Sequence, residues 1–384
     1  MSKLRGETAV VGIGLAGLGQ ASGWSAIEIM AESAKAALAD AGLGLKDVDG
    51  LFVSSSTHAM PTITAAEYLG IRPRHFSGTM AGGASFEVHV LTAATALRAG
   101  LCDVALIAYG SNQRSAAGRL VSSAEPQVNE AVYDPRQPIT AYALATARHM
   151  HEFGTTRTHL AEVAVAARAW AGLNPRAFKR DPLTLDDVLA APMVSDPLSR
   201  LDCCLVTDGG GAVVMMRADA ARDRPKAPVY LLGAGCAHWH RQIAMMQDLT
   251  VTAATQSGAA AYAMAGLGPH QMDMVQLYDA FTINTLLFLE DLGFCRKGEG
   301  GSFVSGGAIA PGGRLAVNTN GGGLSCVHPG MYGIFPIIEA VEQLRGEAGA
   351  RQQVRADTAM VHGNGGTLSC QASCIFGTEA TLTA

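Results

Sequence analysis

Charge is scarce in this 384-residue chain: Asp, Glu, Lys and Arg together make up 16%, against 48% hydrophobic residues. So few charges cannot dress a surface of ordinary extent, so large areas are expected to be buried, in a broad α/β core or an obligate oligomer. Runs of Lys and Arg are missing, and at a net charge of −5 the chain offers no electrostatic footprint for nucleic acid or a membrane surface. No apolar run reaches membrane-spanning length. The first residues turn glycine-rich and strand-like instead of forming the apolar core of a signal peptide, so the chain reads as cytoplasmic. Its eight cysteines are then expected as reduced thiols. No CxxC occurs, and the adjacent Cys203–Cys204 does not suit zinc, so no metal site is read and most thiols are expected to pack as small hydrophobes.

Glycine is plentiful, at 45 residues, and its clusters mark the informative stretches. In Asn318–Gly333, NTNGGGLSCVHPGMYG, a glycine run leads to His328, whose exit is fixed by Pro329. LYDAFT ends an expected strand at Tyr278 and Asp279 and enters an apolar helix. AMVHGNGG runs a strand into His362 and a glycine turn. Three strand-to-loop junctions therefore offer Tyr278, His328 and His362, and ligands gather at such carboxyl ends of strands in α/β folds. The glycine-spaced GIGLAG at 12–17 is followed by no acidic ribose partner, so no dinucleotide site is read there. Cys326, two residues before His328, is a candidate thiol. The HWH at 238–240 reads as an interface or surface feature, and Asp208 as the stabiliser of an exposed turn over Asp208–Gly211.

The chain repeats itself. AGLGLKDVDGLFV at 41–53 and AGLGPHQMDMVQL at 265–277 match in spacing; ALRAG at 96–100 is echoed by QLRG at 343–346, and each closes a helix that precedes an apolar strand. Two like halves, 1–225 and 226–384, imply an α/β fold of five layers, α-β-α-β-α, with glycine-entered helices between two sheets. A helix is expected over Ser25–Ala41, capped by Ser25, and a buried one over Ala81–Ala99. The less regular region of about 111–194, partly helical at Thr158–Ala171 and Leu185–Leu189, reads as an inserted lid.

With SDPLSRLDCCLVTDGGGAVVM at 195–215, YDAFT at 278–282, the NTNGGG…HPGMYG block and HGNGGTLS in this order, the chain resembles the thiolase superfamily, and within it the sterol-carrier-protein-type thiolases and lipid-transfer-protein aldolases. The resemblance implies that the family's nucleophilic Cys, at the start of the first buried helix, falls on Gly83. Its Asn or His falls on Tyr278, the His of its GHP motif on His328 and its second, acid/base Cys on His362. The backbone N–H groups of Gly83 and Asn364 fall on one oxyanion hole. Without the thiol no acyl-enzyme forms there. The resemblance then implies retro-aldol cleavage of a β-hydroxyacyl-CoA of steroid or aromatic type, the coenzyme A thioester being a substrate with no covalent cofactor. The alternatives are a β-ketoacyl-CoA thiolase or acyltransferase, and an acyl-CoA-binding scaffold. It also implies a homodimer and a small OB-fold, zinc-ribbon partner subunit.

Overall fold

The computed structural model describes residues 4–117 and 130–382. In chain order the first half runs β1 (Thr8–Gly19), α1 (Ala26–Asp40), β2 (Gly50–Val53), α2 (Pro61–Leu69), β3 (His75–Ser77), α3 (Ser85–Arg98) and β4 (Ala105–Ser111). An insertion follows, with α4 (Gln113–Ala117), α5 (Ile139–Phe153), α6 (Arg157–Gly172), α7 (Leu185–Leu189) and a ribbon of β5 (Met193–Ser195) and β6 (Leu198–Ser199). β7 (Asp208–Arg217) returns to the sheet and α8 (Ala218–Ala221) leads out of it. The second half runs β8 (Val229–His238), α9 (Ala254–Ala265), β9 (Met274–Leu277), α10 (Thr282–Asp291), α11 (Gly300–Val304), β10 (Ala316–Val317), α12 (Ile334–Leu344), β11 (Thr358–Gly365) and β12 (Cys370–Gly377).

The strand order is β10-β9-β11-β12-β8-β1-β7-β4-β2-β3. It divides into two sets of five with the same order and the same strand senses, β1-β7-β4-β2-β3 and β8-β12-β11-β9-β10. Among the described residues their strands pair where Ala9 faces Tyr230 and Val10 faces Val229. α3 and α12 lie between the sets and touch strands of both, while α1 covers the outer face of the first set and α9 that of the second. This is the expected five-layered stack.

Glycine sets the distance between the layers. A Cβ on Gly12 of β1 would lie 2.1 Å from the Ala37 carbonyl of α1, and one on Gly233 of β8 would lie 2.1 Å from the Ala261 carbonyl of α9. Gly14 and Gly235, two residues on, meet Ser33 and Ser257 in the same way, so each outer helix rests its backbone on a bare strand. The repeated AGLG turns are also built alike: Gly44 N donates to Asp47 Oδ2 at 2.8 Å and Gly268 N to Gln271 Oε1 at 2.9 Å.

Most expected elements form. Ser25 caps α1, sharing a capping box with Glu28, and α6 and α7 appear within the insertion. Two readings change. Asp208–Gly211 is no exposed turn: all four residues are buried and open β7. Their glycines pass under Tyr109, Ile334 and Ile338, and the Asp208 carboxylate accepts from the N–H groups of Ala21 at 2.7 Å and Ser115 at 2.9 Å. The insertion is also more helical than its sequence suggests. α5 lacks a capping side chain, and its buried stripe includes Thr146 and His149, which hides the apolar period.

Candidate active site

Tyr278 leaves the end of β9 with its N–H donating to the His362 carbonyl at 2.9 Å. Its side chain is buried, and its hydroxyl shares a 3.0 Å hydrogen bond with His328 Nε2. The rings stand perpendicular, 5.5 Å apart, and Tyr332 lies 5.6 Å from Tyr278 and stacks on His328. Burial pushes the Tyr278 phenol well above its ordinary 10 and lowers His328 to about 4. At neutral pH the pair is a phenol and a neutral imidazole. His328 Nδ1 is buried with no hydrogen-bond partner. The tautomer protonated there leaves Nε2 free to accept the tyrosine proton.

The loop that carries His328 is held from several sides. Gly321 and Gly322 have positive φ (103° and 67°), and a π turn over Gly322–Cys326 follows, a geometry frequent at functional sites. Asp279 accepts from Gly323 N at 2.6 Å, and its Oδ2 lies 2.0 Å from the Cβ position of Gly322. Burial raises this carboxyl to about 7. Thr207 Oγ1 accepts from His328 N at 3.0 Å. Tyr109 of β4 donates to the Pro329 carbonyl and accepts from Met331 N at 3.2 Å. The first half therefore fixes a loop of the second.

Gly83 sits in the single turn that leads into α3. A Cβ there would fall 2.0 Å from Tyr278 Cε2, 2.5 Å from its Cζ and 2.7 Å from the Asn364 carbonyl oxygen. The Tyr278 ring fills the space that a side chain at position 83 would need. Gly83, Tyr278, His328 and the Asn364 backbone are thus brought together. Asn364 is fixed by side-chain bonds: its Nδ2 donates to Tyr142 Oη at 2.9 Å and its Oδ1 accepts from Gln371 Nε2 at 2.8 Å.

His362 is not part of this cluster. Side chains alternate along β11: position 363 faces the Glu87 carboxyl of α3, and His362 faces the other way. Its ring packs 4.6 Å from Phe288 of α10 and bonds Ser373 Oγ and Gln371 Oε1, each at 2.9 Å. Ser373 in turn bonds Ser257 of α9. Both ring nitrogens are used and the ring is fully buried, so it braces the outer helices instead of meeting Tyr278.

Three participants were not anticipated. Tyr142 comes from the insertion, packing 4.4 Å from the Phe281 ring. Tyr332 lay unremarked inside the HPGMYG block. Glu87, one turn beyond Gly83 on α3, is buried with neither carboxyl oxygen hydrogen-bonded; a charged residue within the apolar run 86–97 was the available signal. No thiol here is activated: burial pushes Cys326 up to about 12 and Cys204 well above its ordinary value. In the HWH stretch Trp239 donates to Gln256 and His240 bonds the Thr367 carbonyl. Among the described residues no group of three His, Cys, Asp or Glu is placed to hold a metal, and no helix is long and apolar enough to cross a membrane.

Comparison with known proteins finds a match to the thiolase C-terminal domain-like family over residues 235–378. An acetyl-CoA acetyltransferase of Methanothermobacter thermautotrophicus is 33% identical, over 96% of this chain and 99% of that protein. A steroid side-chain-cleaving aldolase of Thermomonospora curvata is 34% identical, over 90% of this chain and 92% of that protein. Among solved structures, an Ltp2-ChsH2(DUF35) aldolase superposes with a TM-score of 0.90 at 33% identity, covering 99% of this chain and 100% of that one.

Proposed function

The chain belongs to the thiolase superfamily, in the branch that includes the steroid side-chain-cleaving aldolases, and from that premise we propose that it cleaves a β-hydroxyacyl-CoA by retro-aldol chemistry. The observation that carries this reading is Gly83 with the Tyr278 ring in its side-chain space. Position 83 has neither a sulfur nor room for one, so an acyl-enzyme cannot form at the head of α3. What remains is a proton-transfer pair beside backbone donors, which suits a reaction through an enolate.

The β-hydroxyl proton passes to Tyr278 Oη as the phenol proton moves to His328 Nε2 across their hydrogen bond. The Cα–Cβ bond breaks, its electrons enter the thioester as an enolate, and the β-carbon leaves as a ketone or aldehyde. The N–H groups of Gly83 and Asn364 receive the enolate oxygen, with the partial positive charge at the start of α3 beside them. His362 acts by holding α9 and α10 against β11 and β12. Gln371 links it to Asn364, so it positions an oxyanion donor from behind.

The acyl group is proposed to be of the steroid or aromatic type. The partner is proposed as a small OB-fold, zinc-ribbon subunit, by analogy with the DUF35 component of the aldolase neighbour. The homodimer is proposed to form at the free edge of the first sheet, where Phe76 of β3, Ile63 and Tyr68 of α2, and Met60 and Met80 stand exposed. An unpaired edge flanked by apolar side chains invites a second copy.

Likeness to the acetyl-CoA acetyltransferase favours one competing reading, thiolysis by coenzyme A. Incubation with a β-hydroxyacyl-CoA decides between them. Retro-aldol cleavage releases a carbonyl compound and a shortened acyl-CoA without consuming free CoA. A reaction that requires CoA and is untouched by Tyr278→Phe overturns the proposal.

A further inference from the structure

Retro-aldol cleavage carries a proton from an oxygen to a carbon. The Tyr278–His328 pair serves the oxygen; the carbon needs an acid of its own. We propose, resting on the retro-aldol reading, that Glu87 is that catalytic acid and delivers its proton to Cα of the thioester enolate.

The argument begins with position. Glu87 lies one turn after Gly83, and helical side chains lean back toward the N-terminus, so its carboxyl is drawn toward the head of α3. Its oxygens lie 2.2 and 2.8 Å from the Cβ position of Gly363 on β11, and 2.5 and 2.8 Å from that of Gly333 at the start of α12. The Gly333 Cβ position is also 2.2 Å from the Gly83 carbonyl. Two glycines from two elements, Gly333 and Gly363, thus clear a space beside the Gly83 carbonyl, and one carboxyl fills it. As Tyr278 takes the room beside Gly83, Glu87 takes the room that an inward side chain on β11 would occupy. The cluster has two side-chain volumes and two proton-bearing groups from elsewhere in the chain.

The second argument is the absence of any structural partner. Among the described residues neither oxygen finds a hydrogen-bond partner. A buried carboxyl with no partner costs stability, and nothing in the packing offsets that cost. Burial raises it to about 8, so it is a neutral acid at pH 7. The titratable groups that face it are the Cys370 and Cys374 thiols of β12, and burial pushes Cys370 to about 11 and Cys374 well above its ordinary value. Neither changes charge near neutrality; Asp279 behind the His328 loop, raised to about 7, titrates lower, so the limb near pH 8 is assigned to Glu87 by its loss in Glu87→Gln.

The step balances. The Glu87 O–H bond breaks, the enolate electron pair forms the Cα–H bond, and the C–O double bond of the thioester is restored. Glu87 is left as a carboxylate and His328 as an imidazolium. Solvent returns a proton to the first and takes one from the second as product leaves.

The test is Glu87→Gln, which keeps the volume and removes the transferable proton. The expected result is a fall in kcat for β-hydroxyacyl-CoA cleavage of about 10²–10⁴-fold, with loss of the wild-type decline above pH about 8. Exchange of the α-protons of propionyl-CoA in D2O, read by mass, is expected in the wild type and in Tyr278→Phe and is lost in Glu87→Gln. Glu87→Asp retains the alkaline limb at a lower rate and decides the question if the glutamine variant does not fold. Cleavage by Glu87→Gln at the wild-type rate with the same pH profile overturns this proposal alone. A wild type that neither cleaves nor exchanges overturns the retro-aldol reading and this proposal with it.

Discussion

Adding one methyl group at position 83 tests the centre of the structure. In Gly83→Ala the new Cβ would start 2.0 Å from Tyr278 Cε2 and 2.5 Å from Cζ. Carbon atoms rest about 3.5–4.0 Å apart, so the ring must retreat by roughly 1.5 Å. The Asn364 carbonyl, 2.7 Å from the same point, keeps the methyl group from moving aside. Retreat of the ring breaks the 3.0 Å bond to His328. Overpacking of this kind costs about 1–3 kcal/mol, and two obstructions, one of them backbone, place Gly83→Ala at about 3. At about 2.1 cal/mol/K of unfolding entropy per residue, the 384 residues convert 3 kcal/mol into a fall of roughly 4 °C in the apparent midpoint. Tyr278→Ala leaves a cavity and costs about 3 kcal/mol or more. The double variant places the new methyl in that cavity, so its loss is expected to be smaller than the sum of the singles by at least about 1 kcal/mol. Thermal unfolding of the four proteins measures the cycle. An additive cycle, or Gly83→Ala within about 0.5 kcal/mol of wild type, refutes the placement of the ring. By the same geometry Gly83→Cys should form no acyl-enzyme in intact-mass spectra after incubation with a β-ketoacyl-CoA.

Tyr278→Phe removes the hydroxyl and its buried bond to His328 and should lower cleavage about 10²–10⁴-fold at a stability loss of only about 1–3 kcal/mol; equal rates would remove Tyr278 from the chemistry. His362→Ala strands Ser373 and Gln371 and opens a cavity beside Phe288, so a loss of about 2–4 kcal/mol is expected, with kcat per folded molecule falling far less than in His328→Ala; the reverse order would return His362 to the site. Stability should peak near pH 6.5 as far as five buried groups decide it. His89, His328 and His362 are lowered to about 4, so the unfolded chain binds three extra protons below pH 6.5. Glu87 and Asp279, raised to about 8 and 7, hold two in the folded state. The net of about one proton costs roughly 1.4 kcal/mol per pH unit on the acid side. Above pH 6.5 the two acids alone reverse the slope, and denaturant melts between pH 5 and 8 check the sign. Phe76→Lys at the sheet edge should shift a dimer toward monomer in light scattering, and an unchanged mass would move the interface elsewhere.

Much of this architecture could be read from the chain because duplication left the same signals twice: paired AGLG turns, paired glycine-entered helices, and glycine-closed strands. The site was legible where a motif fixes its own backbone. His328 is held by the glycines before it and Pro329 after it, and Tyr278 ends a strand. The facing of His362 was not legible because a one-residue step along a strand turns a side chain to the opposite face, and HGNGG gives no local indication of which face is inward. The structure answers through Gly363, whose missing side chain makes room for Glu87. Tyr142 escaped because it comes from an insertion whose helix hides its apolar stripe behind Thr146 and His149, and whose contact with Asn364 spans 222 positions.

The seam between the five-stranded sets, two residue pairs long, has a consequence for what the protein can be. Gly83 and Glu87 belong to one side of it, and Tyr278, His328 and Asn364 to the other. On the proposed reading neither side owns a complete reaction centre. On the proposed reading, catalysis therefore depends on the alignment of the two halves as well as on their folding.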